Sequence, residues 1–339
     1  MKGRNLIWIV LGVCPALGVA GPRIELSWPT PNTAYLEGKP TDAYVQPTVS
    51  GEVGSGLFGC VRSGGGQFHE GVDLKPVSRD RKGEPTDDVF ATMSGVVRHI
   101  NQRTGESSYG RYMVIEHPDL KPSVYTLYAH LSAVTPGLKP GDPVARGQVI
   151  ATMGRSSGGY TIPRDRAHLH YEIGLVATRN FQSWYDWKKF GSPNEQGIYN
   201  GMNLMGVNAL DFFNEFRARR VDNFTEYFAR LPAVARLRIA TARVPDFVQR
   251  YPELLTAEIP VAGVAGWDLK LNATGLPFSW TPLSATEVIG MRPNEVRLSE
   301  VDDAALKRFR CKSIAVSRRG AYVPGKDLDS MLELVFGLR

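Results

Sequence analysis

The sequence predicts a mainly β domain built on an antiparallel sheet, followed by an α+β C-terminal region. Short stretches of alternating apolar and polar side chains indicate half-buried strands at residues 94–100, 112–116 and 123–131. Residues 136–154 bracket apolar pairs with glycine and proline, a pattern typical of tight hairpins between antiparallel strands. Later in the chain, aromatic side chains recur at helical spacing, as at Phe212, Phe213 and Phe216.

The length of 339 residues leads us to expect more than one domain. We predict a signal peptide at 1–20, an extended segment at 21–59, the β domain at 60–178 and the α+β region at 179–339. Within the last region, the patterns predict helices and strands at 209–221, 223–230, 245–255, 264–283, 302–310, 313–317 and 327–336. Its role stays open between covering the sheet, shaping a groove and binding a wall or regulatory protein partner.

The first twenty residues have the pattern of a secretory signal. Lys2 and Arg4 precede an apolar run that is too short for an ordinary membrane span, and residues 18–20 are small enough for cleavage. An uncleaved anchor and lipidation at Cys14 are the two alternatives. We therefore expect an exported protein in the periplasm, the cell envelope or the extracellular space, with no stable membrane span after signal cleavage.

The composition excludes one class of partner. The 40 basic and 34 acidic side chains give a formal net charge of +6, a modest excess that favours residence near anionic envelope polymers. The sequence has no basic cluster interleaved with stacking aromatics, which nucleic-acid-binding modules typically show. A solvated helix face explains the densest basic run, Arg217–Arg220. We therefore expect no nucleic-acid partner.

Five side chains able to bind a metal, or to act beside one, stand in three short clusters: His69 and Asp73, His130, and His168 with His170. Residues two apart on a strand point to the same face, so the imidazoles of the His-x-His pair would face one cleft. His69 and Asp73 lie four residues apart, about 13 Å in an extended chain. The backbone must therefore turn between them to reach one ion, and Gly71 supplies the conformational freedom to do so.

The spacing alone does not decide which three of these five residues hold a metal. The His-x-His pair is able to give two ligands, or one ligand and one base. Glu70 and Glu172 are rival bases, although the His-Glu-x-x-His motif is absent. Glu172 continues the even spacing of the His-x-His pair, and we expect it to support a ligand. The histidines outside the clusters, His99 and His117, are interpreted as structural.

Three motifs in this order resemble the lysostaphin-type (LytM, M23) zinc endopeptidases: His69-x-Gly71-x-Asp73, Tyr128-Ala129-His130-Leu131 and His168-Leu169-His170. The resemblance covers about a third of the chain. It implies a lysostaphin/LytM-like fold of the duplicated-hybrid-motif type, with Zn²⁺ bound by His69, Asp73 and His170. It also implies that His130 and His168 flank the metal-bound water and the scissile carbonyl. The substrate that it implies is the peptide part of peptidoglycan.

A site of this kind has a defined chemistry. Zinc held by two neutral histidines and one aspartate lowers the pKa of its water from about 15.7 toward 7, which gives a zinc-bound hydroxide. Histidine titrates close to neutral pH, so His130 and His168 are jointly assigned to accepting the water proton and to stabilising the oxyanion or protonating the leaving amine. The expected function is that of an exported zinc metalloendopeptidase that cuts peptide bonds in peptidoglycan stems or cross-bridges.

The main alternative is a non-catalytic LytM-type regulator or scaffold of cell-wall hydrolases. Members of this fold are able to lose ligands and to activate other wall hydrolases instead. A protein of that kind should lack at least one of the five residues, and this chain lacks none. A wall-binding module with a structural zinc is a weaker alternative, because structural zinc is normally closed by four protein ligands.

Two further features concern the surroundings of this site. The loop Gly154–Ala167 is longer than the family pattern leads us to expect, so we expect it to narrow or reshape the substrate groove. Removal of the signal leaves Cys60 and Cys311, and in an oxidising compartment a disulfide between them would tie the C-terminal region to the β domain. A zinc ligand at Cys60 and two free thiols are the alternatives.

Overall fold

Antiparallel strands dominate the first half of the protein. The computed structural model describes residues 21–338, so the predicted signal peptide with Cys14 lies outside the described residues. The strands up to residue 207 are β1 Gly59–Arg62, β2 Gln67–His69, β3 Val72–Leu74, β4 Asp88–Phe90, β5 Gly95–Asn101, β6 Tyr112–Glu116, β7 Tyr125–Ala129, β8 Ala133–Val134, β9 Pro143–Val144, β10 Val149–Thr152, β11 Leu169–Val176 and β12 Leu204–Val207. Their pairings are antiparallel, which confirms the predicted fold class.

Helices and further antiparallel strands alternate in the rest of the chain. They are α1 Phe181–Lys188, α2 Ala209–Arg217, α3 Phe224–Ala229, β13 Ala235–Ile239, α4 Asp246–Arg250, β14 Gly266–Leu271, β15 Pro277–Leu283, β16 Val296–Val301, α5 Asp303–Arg308, β17 Ala315–Arg318, β18 Ala321–Pro324 and α6 Lys326–Phe336. One sheet has the order β15-β14-β13-β16, and β17 pairs with β18. Within residues 21–338, no helix has the length and apolar character needed to cross a bilayer.

The largest sheet has the strand order β12-β11-β7-β6-β5-β9, and β3 joins it as a further partner of β11. Every residue of β11 is buried. The odd-numbered side chains from Leu169 to Leu175 belong to the main apolar core. Since strand side chains alternate between faces, His170 and Glu172 point to the opposite face. One face of β11 therefore packs the core, and the other is available for polar chemistry.

The predicted strands at 94–100, 112–116 and 123–131 are confirmed as β5, β6 and β7. The hairpin prediction for 136–154 is wrong in its pairing, because β9 pairs with β5 whereas β10 pairs with β4 and β8. These strands have only two and four residues. An isolated hairpin of that length is marginal in water, so each strand is stabilised by adding to a different sheet.

The predicted helices at 209–221 and 223–230 are confirmed as α2 and α3. Each begins after an asparagine whose side chain accepts a hydrogen bond from the N–H three residues on, Asn208 for α2 and Asn223 for α3. The predicted helix at 245–255 is shorter, because Pro252 lacks an N–H and begins a separate 3₁₀ turn after α4. The sequence patterns did not predict α1, β12, β13, β16 or β18.

One apolar core runs through both parts of the protein. The ring of Phe213 on α2 lies 5.0 Å from the ring of Trp28 in the N-terminal segment and 6.3 Å from the ring of Tyr171 on β11, measured between centroids. In addition, β12 comes from beyond residue 178 and yet pairs with β11. The C-terminal region therefore covers and extends the largest sheet. The domain boundaries given above stay predictions.

A disulfide joins Cys60 of β1 to Cys311, so the structure favours the paired cysteines over a zinc ligand or free thiols. Beside it, the Arg310 guanidinium donates to the carbonyl oxygen of Gly64 in the turn between β1 and β2. These contacts hold the C-terminal region against the β1–β2 hairpin. The same hairpin ends at His69.

Loss of the Cys60–Cys311 disulfide should lower the free energy of unfolding by about 2–5 kcal/mol, because a long closed loop restricts the unfolded chain. The sequence separation of the two cysteines is 251 residues. Urea unfolding followed by tryptophan fluorescence should show a lower midpoint for the double variant Cys60→Ala/Cys311→Ala. As a control, a reductant should shift the wild-type midpoint and leave the double variant unchanged. Equal midpoints for the two oxidised proteins would contradict this expectation.

Candidate active site

The structure brings His69, Asp73 and His170 together at the junction of β2, β3 and β11. The antiparallel register places His170 directly opposite Asp73. His69 Nε2, His170 Nδ1 and Asp73 Oδ1 lie 3.0 Å from one another in every pair. All three side chains are buried. Three ligand-type atoms therefore form a compact triangle inside the protein.

The turn between His69 and Asp73 depends on Gly71, but for a different reason from the predicted one. Gly71 is not among the residues with positive φ, so conformational freedom is not what the position requires. A Cβ atom at Gly71 would lie 2.4 Å from the carbonyl oxygen of Tyr171 on β11. Glycine is therefore needed because it lets β3 approach β11 closely enough for the His170–Asp73 pairing.

Hydrogen bonds fix the orientation of both ligand imidazoles. His69 Nδ1 lies 2.7 Å from the carbonyl oxygen of Leu57 and donates to it, which leaves Nε2 as the free acceptor. His170 Nε2 lies 2.9 Å from Glu172 Oε1, so Nδ1 is the nitrogen that faces Asp73. This contact is the structural basis for the supporting role that we expect of Glu172. Holding the second nitrogen of a ligand histidine is a common feature of metal sites.

Glu172 is itself held by two phenols. Tyr109 Oη donates to Glu172 Oε1 at 2.6 Å, and Tyr125 Oη donates to Oε2 at 2.9 Å. Burial raises the pKa of both tyrosines well above its usual value, and the charge of Glu172 raises it further. Burial also raises the pKa of Glu172, but the hydrogen bond from His170, the charge of that ring and the hydrogen bonds from the two phenols together outweigh burial and lower it. The pair of phenols therefore stays protonated and donates to a charged carboxylate.

The two carboxylates beside His170 favour its protonated form. Burial lowers the pKa of His170, but the hydrogen bonds to Asp73 and Glu172, together with the charges of these two carboxylates, outweigh burial and raise it to about 9. Burial likewise raises the pKa of Asp73, whereas the imidazoles of His168, His69 and His170 hold it well below its usual range. A cation that binds His170 Nδ1 must therefore displace a proton.

His130 and His168 stand beside this triangle. Their ring centroids lie 4.8 Å apart, and the ring of His130 lies 5.9 Å from that of His170. His168 Nε2 lies 3.5 Å from Asp73 Oδ1, and it is buried without a hydrogen-bond partner among the described residues. The structure thus brings all five predicted residues to one place.

Backbone carbonyls orient these two rings. His130 Nδ1 donates to the carbonyl oxygen of Ser156 at 2.8 Å, and His168 Nδ1 donates to that of Arg166 at 2.7 Å. In each ring, Nε2 is left without a proton. Burial lowers the pKa of both imidazoles below the usual value, for His130 well below it. Both rings are therefore neutral near pH 7 and able to accept a proton through Nε2.

His130 is placed by a sharp change of chain direction at the end of β7. Its φ of 61° lies in the left-handed region, which non-glycine residues adopt only at a cost of about 1 kcal/mol or more. Close packing holds this turn in place. A Cβ atom at Gly154 would lie 2.7 Å from the carbonyl oxygen of His130, so only glycine fits there. Backbone strain at a polar, buried position is typical of a functional site.

Arg62 contributes a charge that the sequence did not indicate. Its guanidinium hydrogen-bonds Asp73 Oδ2, the oxygen that does not belong to the triangle. Arg62 lies two residues after the disulfide-bonded Cys60 on β1. The arginine therefore occupies the second oxygen of Asp73 and leaves Oδ1 to face the two histidines.

The three ligand-type atoms of the triangle fit a zinc ion. With zinc–ligand bonds of about 2.0–2.2 Å, neighbouring ligand atoms in a tetrahedron are about 3.4 Å apart, close to the 3.0 Å sides of the triangle. With neutral rings, all three atoms are acceptors, so their lone pairs converge and require a cation or a proton between them. Two imidazoles and one carboxylate are the ligands of a catalytic zinc with one open position. Among residues 21–338, the ligand atoms of His69, Asp73 and His170 lie close enough to one another to hold a metal.

The long loop Gly154–Ala167 packs beside the site. Its Ser156 carbonyl orients His130, and its Gly158 N–H donates to the carbonyl oxygen of Ser107 at 2.8 Å. Arg155 holds the loop to Glu84 through two hydrogen bonds. The hydrogen bonds from Arg155 and then Arg164 lower the pKa of Glu84 to about 2. The loop is therefore part of the site, and its effect on the substrate groove stays a prediction.

His99 and His117 lie outside the cluster and have structural partners. His99 Nε2 lies 2.8 Å from Gln196 Oε1. His117 is buried between the Ser94 carbonyl oxygen at 2.8 Å and Thr126 Oγ1 at 2.9 Å. Burial lowers the pKa of His117 to about 4. None of these hydrogen-bond partners belongs to the five-residue site.

Comparison with known proteins shows which family the β domain is similar to. Residues 67–181 match the model of peptidase family M23. The resemblance to the lysostaphin-type peptidases is thereby confirmed. No curated protein sequence matches the chain.

Solved structures of similar fold include distant relatives. A zinc-containing peptidase from Vibrio cholerae is 24% identical over 44% of this chain and 33% of its own, with a TM-score of 0.24. The catalytic domain of lysostaphin from Staphylococcus simulans is 23% identical over 40% of this chain and 82% of its own, with a TM-score of 0.28. The M23 protein EnpA from Enterococcus faecalis is 22% identical over 49% of this chain and 88% of its own, with a TM-score of 0.29. The chain thus spans a third of the length of the first structure, and its likeness to peptidase family M23 rests on the family match.

Removing the charge that supports His170 should weaken metal binding. In Glu172→Gln, we expect the Kd for Zn²⁺ to rise about 10–100-fold, because the uncharged amide makes the ligand imidazole less basic. Competition with a chromogenic chelator measures this Kd without any substrate. The matched control is Glu116→Gln on β6, whose carboxylate pairs with Arg98 at the surface. An unchanged Kd in a folded Glu172→Gln protein would refute the supporting role.

The buried His117 should make stability depend on pH. As the pH falls from about 6.5 to about 4, the unfolded chain binds a proton at this ring that the folded protein excludes. The free energy of unfolding should therefore fall by about 3 kcal/mol over this window. Urea unfolding at several pH values should show a flatter dependence in His117→Asn, whose amide still donates toward the Ser94 carbonyl. Parallel curves for the two proteins would contradict the expectation.

Proposed function

We propose that the protein is a zinc metalloendopeptidase that hydrolyses peptide bonds in peptidoglycan stems or cross-bridges. The observation that carries this proposal is the triangle of His69 Nε2, His170 Nδ1 and Asp73 Oδ1, flanked by two neutral imidazoles. Three ligands fit a zinc ion with an open coordination position, and His130 and His168 have no ligand role to fill. Two extra, oriented bases beside such a site support a catalytic centre over a structural one.

The residues divide the work of peptide hydrolysis. His69, Asp73 and His170 would hold the zinc ion, which supplies Lewis acidity that acidifies water and polarises a carbonyl. His130 and His168 present unprotonated Nε2 atoms, so each is able to accept a proton from water. Once protonated, the same nitrogen is able to stabilise a developing oxyanion or to donate to the leaving amine. The two Nδ1 hydrogen bonds to backbone carbonyls keep the rings aimed during these steps.

The substrate and the location rest on other grounds. The motif resemblance and the match to peptidase family M23 support peptidoglycan peptides as the substrate. The pattern of residues 1–20 supports export to the periplasm, the cell envelope or the extracellular space. The disulfide between Cys60 and Cys311 is consistent with an oxidising compartment.

Digestion of purified peptidoglycan tests the proposal. The zinc-loaded wild type should release soluble muropeptides, and His168→Ala should lower the rate about 10²–10⁴-fold because an oriented proton acceptor is lost. His99→Gln is the control, since this histidine lies outside the site. Mass spectrometry of the products should show new amino termini and no new reducing sugar ends, which identifies the bond that is cut.

Two results would reject the hydrolase. Equal solubilisation by the wild type and by His168→Ala would show that the imidazole has no catalytic role. A zinc-loaded wild type that releases nothing from walls of several compositions would favour the regulator or scaffold instead. Removal of zinc by a chelator, followed by its return, should abolish and then restore the release of muropeptides.

A further inference from the structure

A groove of about 790 Å³ begins beside the candidate metal centre and runs along the C-terminal region. Tyr109 and Glu70 line it, and Tyr109 Oη holds the Glu172 carboxylate that supports His170. The opposite wall comes from the C-terminal region through Leu276, Lys312, Met331 and Leu334. This wall lies beyond residues 67–181, the part that matches the peptidase family. The groove is therefore a feature of this chain that lies next to the site, although none of the five site residues lines it.

The free edge of β12 lines the same groove through Leu204, Met205 and Gly206. The Ala177 N–H donates to the Asn203 carbonyl oxygen at 2.8 Å, which marks 177 and 203 as a hydrogen-bonded pair. In an antiparallel ladder such pairs recur every second residue, so Met205 and Val207 also bond to β11. The backbone N–H and C=O groups of Gly206 therefore point away from β11. In the described part of the chain, no strand pairs with this edge.

Lys312 places an uncompensated charge in the groove. Its Nζ lies 4.3 Å from the ring centroid of Phe68, the residue before His69. Among the described residues, no carboxylate lies within 4.0 Å of this ammonium, whereas Lys188 in the same groove pairs with Glu333 at 2.6 Å. The disulfide at the neighbouring Cys311 fixes the backbone beside Lys312. An ammonium that contacts an aromatic ring and has no carboxylate partner is suited to bind an anionic group of a ligand.

We propose that this groove binds the part of the peptide substrate that extends beyond the scissile bond, in an extended conformation along β12, with a substrate carboxylate on Lys312. The occupant is a peptide because only an extended backbone is able to pair with the free N–H and C=O of Gly206. It carries a carboxylate because Lys312 has no carboxylate partner of its own, and this group is placed at Lys312 because the acidic Glu70, Glu106 and Asp327 line other parts of the groove. This inference rests on the proposed peptidase function and defines its substrate class as acidic peptides.

A pair of substrates that differ only in charge tests the role of Lys312. We would compare a cross-linked muropeptide dimer that has free carboxylates with the same dimer after conversion of these groups to amides. The wild type should have a kcat/KM about 10-fold higher for the acid form, as one charge-assisted contact provides. In Lys312→Met the preference should vanish, and in Lys312→Arg it should return. The control variant Lys307→Met, outside the groove, should keep the wild-type preference.

Binding measurements separate this inference from the hydrolase proposal. In His168→Ala, the Kd of the acid dimer should be about 10-fold lower than that of the amide, and the added change Lys312→Met should equalise them. Hydrogen exchange should also slow at the Gly206 amide when the acid dimer binds.

If the wild type cleaves both dimers equally well, or if Gly206 exchange is unaffected, this inference fails while the hydrolase stands. If charge-dependent binding occurs without cleavage, the hydrolase fails and the groove assignment stands. Absence of both binding and cleavage overturns both.

Discussion

The pairing of β3 with β11 is the constraint on which the rest of the site depends. It sets Asp73 opposite His170, so two ligand-type side chains meet through the register of the sheet. The close approach at Gly71 makes this pairing possible, because any side chain there would meet the Tyr171 carbonyl. A shift of one residue would turn His170 toward the core and an apolar side chain toward the site. The register of β3 against β11 therefore determines which side chains meet in the site.

Burial makes this arrangement of acceptor atoms energetically costly and also favours the binding of a cation. Three acceptor atoms 3.0 Å apart inside the protein repel one another unless a proton or a cation lies between them. The backbone carbonyls of Leu57, Ser156 and Arg166 prevent the rings from rotating away, since each accepts one Nδ1 proton. The fold thus stabilises a geometry that favours cation binding at the triangle. The same burial keeps His130 and His168 neutral and ready to accept a proton.

The sequence predicted the side chains of the site better than their surroundings. The histidines and Asp73 stand in short motifs, and the even spacing along β11 indicated Glu172, because local periodicity is visible in the sequence. The carbonyls that orient the rings come from two loops, one that contains Leu57 and the other Gly154–Ala167, and carbonyls carry no residue signature. Arg62 was missed for a related reason, since its contact with Asp73 depends on the β1–β2 hairpin and not on a motif.

The same reasoning applies to the fold. Strands β5, β6 and β7 alternate over five to seven residues, so their patterns are long enough to be recognised. Strands β9 and β10 are shorter, and their partners lie in different sheets, which no local pattern reveals. Strand β12 reads Leu-Met-Gly-Val and has no clear alternation. Its position next to β11 is set by tertiary contacts alone.

The C-terminal region is bound to the largest sheet at more than one point, and this limits what the region is able to do. The Tyr251 hydroxyl accepts from the Val176 N–H at 3.0 Å, and the Arg250 guanidinium donates to the Val176 carbonyl oxygen at 2.9 Å, at the end of β11. At the other side, the disulfide ties Cys311 to the hairpin that carries His69. A region held at both ends of the site is unsuited to swing away as a detached binding module. It instead forms a fixed wall, so any selectivity that it provides must come from the shape and charge that it presents to the groove.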